Sequence, residues 1–214
     1  MNFEEANQLL DGLAPGALPF VQHSRVVAGI ATRVARALAE GKVGIDVERI
    51  RVRALLHDLG RSRTHGNYHG WVGYAMLRRR GLGEFGRGCV THWLRGLELD
   101  EALELGRFRP RFLKRVFEEL DLPRLEIDDF VVSVADFSVA HTTIVSLEER
   151  EADLVQRYGD SRWLRRNGEV ARDHRALLEA WMGRPLAGVV PETAPRGARA
   201  IEMPKAMLPK ELLR

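Results

Sequence analysis

The chain is poor in several features, and each absence narrows its chemistry. Its 214 residues include one cysteine, Cys89, which excludes an internal disulfide and leaves no thiolate set for structural zinc. Any metal would have to be held by imidazoles and carboxylates. No apolar run approaches the roughly 18 residues that a membrane-spanning helix needs. The N-terminal stretch MNFEEANQLLDGLAPGALPF has no basic segment leading into an apolar one, so the expectation is a cytoplasmic protein with no membrane partner. A strong field of one sign is also missing, since 33 Lys and Arg face 30 Asp and Glu for a net charge of +3. Dedicated nucleic-acid binders carry a larger basic excess. Aromatics do not interleave with the arginines at 78–80 or 165–166. Those runs read as solvated helix faces, and direct nucleic-acid binding is disfavoured.

What is present is helical periodicity. At 45% hydrophobic content a chain of this length can bury one substantial core. Val26, Val27, Ile30, Val34 and Leu38 form one stripe that stops at Gly41, as an amphipathic helix would. A second helix is expected from Asp46, a natural N-cap, to Gly60, and a third from His69 to Gly81. Further helices are expected over 84–95, 110–120, 126–141, 147–158 and 162–182. No segment shows sustained period-two alternation, so the fold class is all-α. The expected organisation is one helical domain over 1–183 and an extended arm over 184–214, whose sequence from Gly183 carries five prolines and little helical pattern before its end. Such an arm is either disordered or packed along a partner, which makes a homodimer reasonable.

Polar residues interrupt the apolar faces at chosen points. Three of the seven histidines fall within ALLHDLGRSRTHGNYHGW, Ala54 to Trp71. His57 and Asp58 close an apolar helix, and His23 lies on the same side of its helix as Val27 and Ile30. Asp136 sits inside FVVSVADFSVA, where a helix must be buried almost all round. An ionised carboxylate there is costly unless an arginine, a lysine or a metal compensates it. Each signal has a plain structural alternative: a histidine at a helix start is more often a cap, and a buried aspartate more often pairs. His141 and the threonines after it read as a helix terminus, and His174 as a surface residue.

The order of these residues is more specific. His23, His57–Asp58, His69, His92 and Asp136, with HDLG after an apolar helix and HGWVGYAML opening the next, resemble the HD-domain superfamily of metal-dependent phosphohydrolases over about 18–145. HSRVVAGIATRVA, VTHW and SVADF look most like its small HDIG-type members, which include relatives of symmetrical dinucleoside tetraphosphate hydrolases. The resemblance implies an HD-type helical bundle with accessory C-terminal helices. It implies that His23, His57, Asp58 and Asp136 bind one metal, and that His69 and His92, with Asp58 bridging, hold a second. The ions would be Fe, Mn, Co, Ni or Zn, which imidazole and carboxylate sets accept alike. Two ions about 4 Å apart suit phosphoryl transfer.

The implied function is hydrolysis of a nucleotide or other phosphate ester, with Asp58 and Arg61 in the catalytic set. Arg61, Arg63 and His65 would bind a small phosphorylated substrate. Where many relatives have lysine, Arg61 stays protonated and is a poor proton donor. Two alternatives share the ligand set, a mixed-valent di-iron oxygenase acting on a small molecule and a non-enzymatic nucleotide-binding or regulatory module. The metal reading requires residues 23, 57, 58 and 136 to converge, and it requires that no guanidinium neutralise Asp136.

Overall fold

The computed structural model describes residues 1–14, 18–122 and 124–190. The described residues form ten α-helices: α1 (Phe3–Leu13), α2 (Pro19–Glu40), α3 (Val47–Leu56), α4 (His69–Arg78), α5 (Gly83–Leu94), α6 (Leu99–Glu104), α7 (Pro110–Glu119), α8 (Ile127–Phe137), α9 (Leu147–Tyr158) and α10 (Arg162–Met182). Two 3-10 turns and one two-stranded hairpin, β1 (Val139–Ala140) with β2 (Thr143–Ile144), complete the fold. The all-α class holds, and no described helix is long and apolar enough to cross a membrane.

Local chemistry sets the helix ends. Pro19 starts α2 at a position where its missing N–H costs nothing. Asp46 caps α3 by accepting the Arg49 backbone N–H at 2.9 Å. One core is shared by α2, α3, α4, α5 and α8. Helix α2 packs on α3 and α8, and α5 packs on α3, α4 and α8. Helix α10 lies across α8, α2 and α9. The stripe Val27, Ile30, Val34 and Leu38 is fully enclosed, with Val26 at its edge.

Four expectations are corrected here. The second helix stops at Leu56, and a 3-10 turn over Leu59–Ser62 follows it. The helix expected over 126–141 ends at Phe137, because the chain turns through the hairpin and His141 adopts a left-handed φ of 57°. Periodicity also passed over α1 and α6. Helix α1 is opened by a reciprocal pair, Asn2 accepting from the Glu5 N–H and Glu5 accepting from the Asn2 N–H, both at 2.9 Å. Within the expected arm, the described part folds back. Leu186 and Val190 are buried, and the Leu186 N–H donates to Glu179 at 2.7 Å. The rest of the arm, from 191, lies outside the described residues.

Two glycines let the elements that carry the histidines approach closely. A Cβ on Gly60 would lie 1.9 Å from the His69 carbonyl oxygen, and one on Gly70 would lie 1.6 Å from Trp93 Nε1. The 3-10 turn after His57–Asp58 therefore rests directly on the start of α4. In the same way α4 rests on α5, which carries His92.

Candidate metal centre

Four histidines and two aspartates from five segments meet inside this core. Helix α2 supplies His23, the end of α3 supplies His57 and Asp58, α4 opens with His69, α5 carries His92 and α8 carries Asp136. His57 is fully buried, and His23, Asp58, His92 and Asp136 are each under a tenth exposed. Ring centroids lie 5.4 Å apart for His23 and His57, 4.9 Å for His57 and His92, and 5.4 Å for His69 and His92.

The hydrogen bonds behind the rings decide which nitrogen faces inward. His23 Nδ1 lies 2.8 Å from the His141 carbonyl oxygen, and His57 Nδ1 lies 2.7 Å from that of Ala54. His69 Nδ1 lies 3.0 Å from the Gly66 carbonyl and His92 Nδ1 3.0 Å from that of Gly88. A carbonyl only accepts, so each Nδ1–H donates. In the neutral rings every Nε2 then offers a lone pair to the centre, and a backbone bond fixes the tautomer as in metal-ligating histidines.

Those lone pairs face other acceptors. His23 Nε2 is 3.1 Å from Asp136 Oδ1, His69 Nε2 is 3.2 Å from Asp58 Oδ1, and the Nε2 atoms of His69 and His92 are 3.3 Å apart. His57 Nε2 and Asp58 Oδ1 are buried without a hydrogen-bond partner. Acceptors converging on acceptors repel unless a proton or a cation lies between them, and an unpartnered buried acceptor is costly. Imidazole and carboxylate donors at these spacings fit a divalent transition ion. The ligand atoms of His23, His57 and Asp136 lie within 4.8 Å of one another, as do those of His57, Asp58 and His92. His69 falls outside the second grouping, although it borders both Asp58 and His92.

The condition that no guanidinium neutralise Asp136 fails at one of its two oxygens. Arg95 Nη2 donates to Asp136 Oδ2 at 3.2 Å, so burial of this carboxylate is partly offset by an arginine. The contact takes one oxygen and leaves Oδ1 to His23 and His57, at 3.1 and 3.6 Å. Asp58 is divided in the same way. Arg61 Nε donates to its Oδ2 at 2.6 Å, while Oδ1 faces His69 and His92 at 3.2 and 3.7 Å. Arg61 thus already engages one oxygen of the residue expected to bridge two ions.

Titration follows the same geometry. Burial opposes the charge of Asp58, yet Arg61 and His57 outweigh it and hold the carboxyl well below its usual range. Burial likewise opposes the charge of Asp136, which His23 and His57 hold well down. Burial disfavours imidazolium at His57, but Asp58 and Asp136 prevail and raise its pKa. At His92 burial prevails with help from His57, and the ring stays neutral. Burial lowers Arg95 to about 10, still protonated at neutral pH.

Other sequence-predicted residues lie elsewhere. Arg63 and His65 are exposed on the turn between the 3-10 segment and α4, and no contact among the described residues joins them to the cluster. His174, expected at the surface, is buried with Nδ1 3.0 Å from Ser133 Oγ. Its charged surroundings along α10 conceal that one face of the helix packs on α8. The residues not anticipated are Arg95, Ser133, Asn167 and the His141 carbonyl. Arg95 follows His92 by three positions, but among many arginines nothing in its spacing distinguishes it.

Comparison with known proteins agrees with this geometry. The chain is 35% identical over 142 residues to an uncharacterized protein of Methanocaldococcus jannaschii, covering 61% of this chain and 83% of that protein. It is 30% identical over 101 residues to a tRNA (cytidine(56)-2'-O)-methyltransferase of Thermoplasma volcanium, covering 47% of this chain but 28% of the enzyme. No solved structure matches. Residues 20–136 match the HD domain, a span running from just before His23 to Asp136. The chain belongs to the HD-domain family of metal-dependent phosphohydrolases.

Proposed function

We propose that the protein hydrolyses a phosphate ester, a nucleotide being the preferred substrate class, with His23, His57, Asp58 and Asp136 holding one divalent ion. His69 and His92, beside Asp58, hold a second. One observation supports this above the rest: all four imidazoles donate Nδ1–H to backbone carbonyls and turn Nε2 towards two ionised carboxylates. A divalent ion bound there supplies positive charge for a phosphoryl oxygen and lowers the pKa of water.

The chain's own residues do the remaining work. Arg61 fixes Asp58 through Nε and keeps its terminal nitrogens for a phosphate oxygen. Its partial exposure supports a position at the mouth of the centre, and an arginine there favours a phosphorylated substrate over the oxygenase alternative. Arg63 and His65 stay exposed on the turn that follows Arg61, free to meet an anionic group entering from solvent. The methyltransferase likeness covers 28% of that enzyme, and no methyl-transfer reading follows from it.

The test joins elemental analysis of protein purified under low oxygen to a screen of nucleotides and simple phosphate esters for released phosphate. Bound transition metal is expected, with turnover that chelation abolishes and one added metal restores. Stoichiometric metal with no turnover of any phosphate ester would overturn the hydrolase reading.

A further inference from the structure

Arg95 is odd in three ways at once. It is 4% exposed although cationic. Its backbone sits in the left-handed region, φ 49° and ψ 29°, directly before Gly96 at φ 77°, and a non-glycine residue seldom adopts that conformation without support from its surroundings. Its guanidinium is engaged on every nitrogen. Nε donates to Asn167 Oδ1 at 3.0 Å, Nη1 to the Ser133 carbonyl at 2.8 Å and to Ser133 Oγ, and Nη2 to Asp136 Oδ2 at 3.2 Å. The plane also lies over the Phe137 ring, 4.8 Å from its centroid.

The left-handed turn explains how the contact arises. It ends α5 one turn after His92, and from there the side chain reaches inward to Ser133 and Asp136 on α8 and Asn167 on α10. Each anchor is itself held. Asn167 Nδ2 donates to the Trp163 carbonyl at 3.1 Å, which directs Oδ1 towards Arg95. Ser133 Oγ accepts from Arg95 and so has its own proton free for His174 Nδ1 at 3.0 Å. A chain of fixed donors thus runs from α10 to a single carboxylate oxygen of the metal centre.

We infer that Arg95 is a positioning residue: by fixing Asp136 Oδ2 it directs Oδ1 alone towards the ion held with His23 and His57, and so ties metal binding to the docking of α10. The inference rests on the metal-centre reading above and adds a residue outside the His and Asp set. Arg61 does the equivalent for Asp58 at the open side, but Arg95 is enclosed and has no route to substrate.

The experiment titrates Co2+ into metal-stripped full-length protein and follows its visible absorption, with no substrate present, alongside melting of the metal-free form. Arg95→Gln is expected to weaken Co2+ binding by about 10- to 100-fold, the usual cost of losing a partner behind a metal ligand. Its spectrum should also change, because Asp136 becomes free to offer both oxygens. Arg95→Lys keeps the charge but loses the fork, and its affinity should fall between the two. A purely structural role would lower the melting temperature and leave the affinity and spectrum of the folded variant at wild-type values; that result overturns the inference. Tighter binding in Arg95→Gln overturns it as well, since the guanidinium would then be competing with the ion. Should neither variant fold, Asn167→Ala removes the Nε acceptor while leaving Arg95 in place, and is judged by the same two outcomes. Wild-type protein that takes up no Co2+ overturns both this inference and the metal centre, whereas loss of the hydrolase reading alone leaves these titrations unaffected.

Discussion

Helix α8 carries buried carboxylates at both ends, and the two ends are compensated in opposite ways. At its start Asp128 and Asp129 are enclosed by guanidinium groups. Arg49 reaches Asp128 through two nitrogens at 2.7 and 3.1 Å, and Arg53 adds a contact at 3.2 Å. Arg87 meets Asp129 at 2.8 Å, with Thr91 and the Glu126 N–H completing the set. Every acceptor there has a donor. Seven residues beyond Asp129, Asp136 has one oxygen on Arg95 and the other among imidazoles that offer lone pairs. A closed arginine network is a structural solution to buried charge, whereas a half-closed acid among histidines of fixed tautomer is an arrangement that could hold a metal ion.

The comparison breaks most visibly by removing an acid from the histidine cluster and an arginine from the closed network. Asp58→Ala should lose metal and turnover together, by more than the roughly 100-fold cost of disturbing a partner behind a ligand, as read by elemental analysis and phosphate release. Full activity in that variant would show that the histidine cluster is not the reaction centre. At the other end, Arg87→Ala strands Asp129, which is 1% exposed. The expected loss is about 3–5 kcal/mol of stability in denaturant melts, with the metal content of the folded protein unchanged. Loss of metal at equal stability would mean that the two ends of α8 are not separate systems.

Gly60→Ala probes the contact that connects them less directly. Its Cβ would fall on the His69 carbonyl, so the 3-10 turn or the start of α4 must shift, at about 1–3 kcal/mol. The shift should also weaken metal binding, because His69 is the residue displaced. A variant that loses stability but keeps wild-type metal affinity would place His69 outside the ligand set.

These contrasts also explain what was legible in the sequence. His23, His57, Asp58 and Asp136 could be singled out because each interrupts an apolar face or closes an apolar helix, and burial of a polar group there needs a reason, whereas His92 entered only through the residue order that resembles the HD domain. Helix types followed from periodicity, and Asp46 and Gly41 marked ends through ordinary cap chemistry. Arg95 was not legible. Its role depends on a left-handed backbone at the end of α5 and on a partner 72 positions away, neither of which leaves a local pattern. His174 misled for a related reason: Arg172, Asp173 and Arg175 around it are solvent-side neighbours, while His174 itself faces Phe130 with ring centroids 4.7 Å apart. Helix α1 was overlooked despite a readable cap, since Ala6 and Leu10 are its only buried positions and too few to make a stripe.

His174 yields the smallest effect and tests the boundary between the two systems. Burial, assisted by the Arg95 charge, lowers its pKa to about 3 from the ordinary 6.5. In the folded protein the ring is therefore neutral throughout the mildly acidic range, while in the unfolded chain it takes up a proton. Between those two values the unfolded state binds more protons, so stability rises with pH across the window and falls as pH drops from 6.5 towards 3. The slope from this one group is at most about 1.4 kcal/mol per pH unit. His174→Asn keeps a polar atom for Ser133 but has no such proton to gain. It should be less stable than wild type at neutral pH, through lost packing on Phe130, and the gap should narrow steadily on acidification below about 6.5. Carboxylates elsewhere titrate in both proteins and cancel in the difference. A gap that stays constant across that range would mean that His174 is already protonated when folded, and Ser133 would then have to accept from both Arg95 and His174.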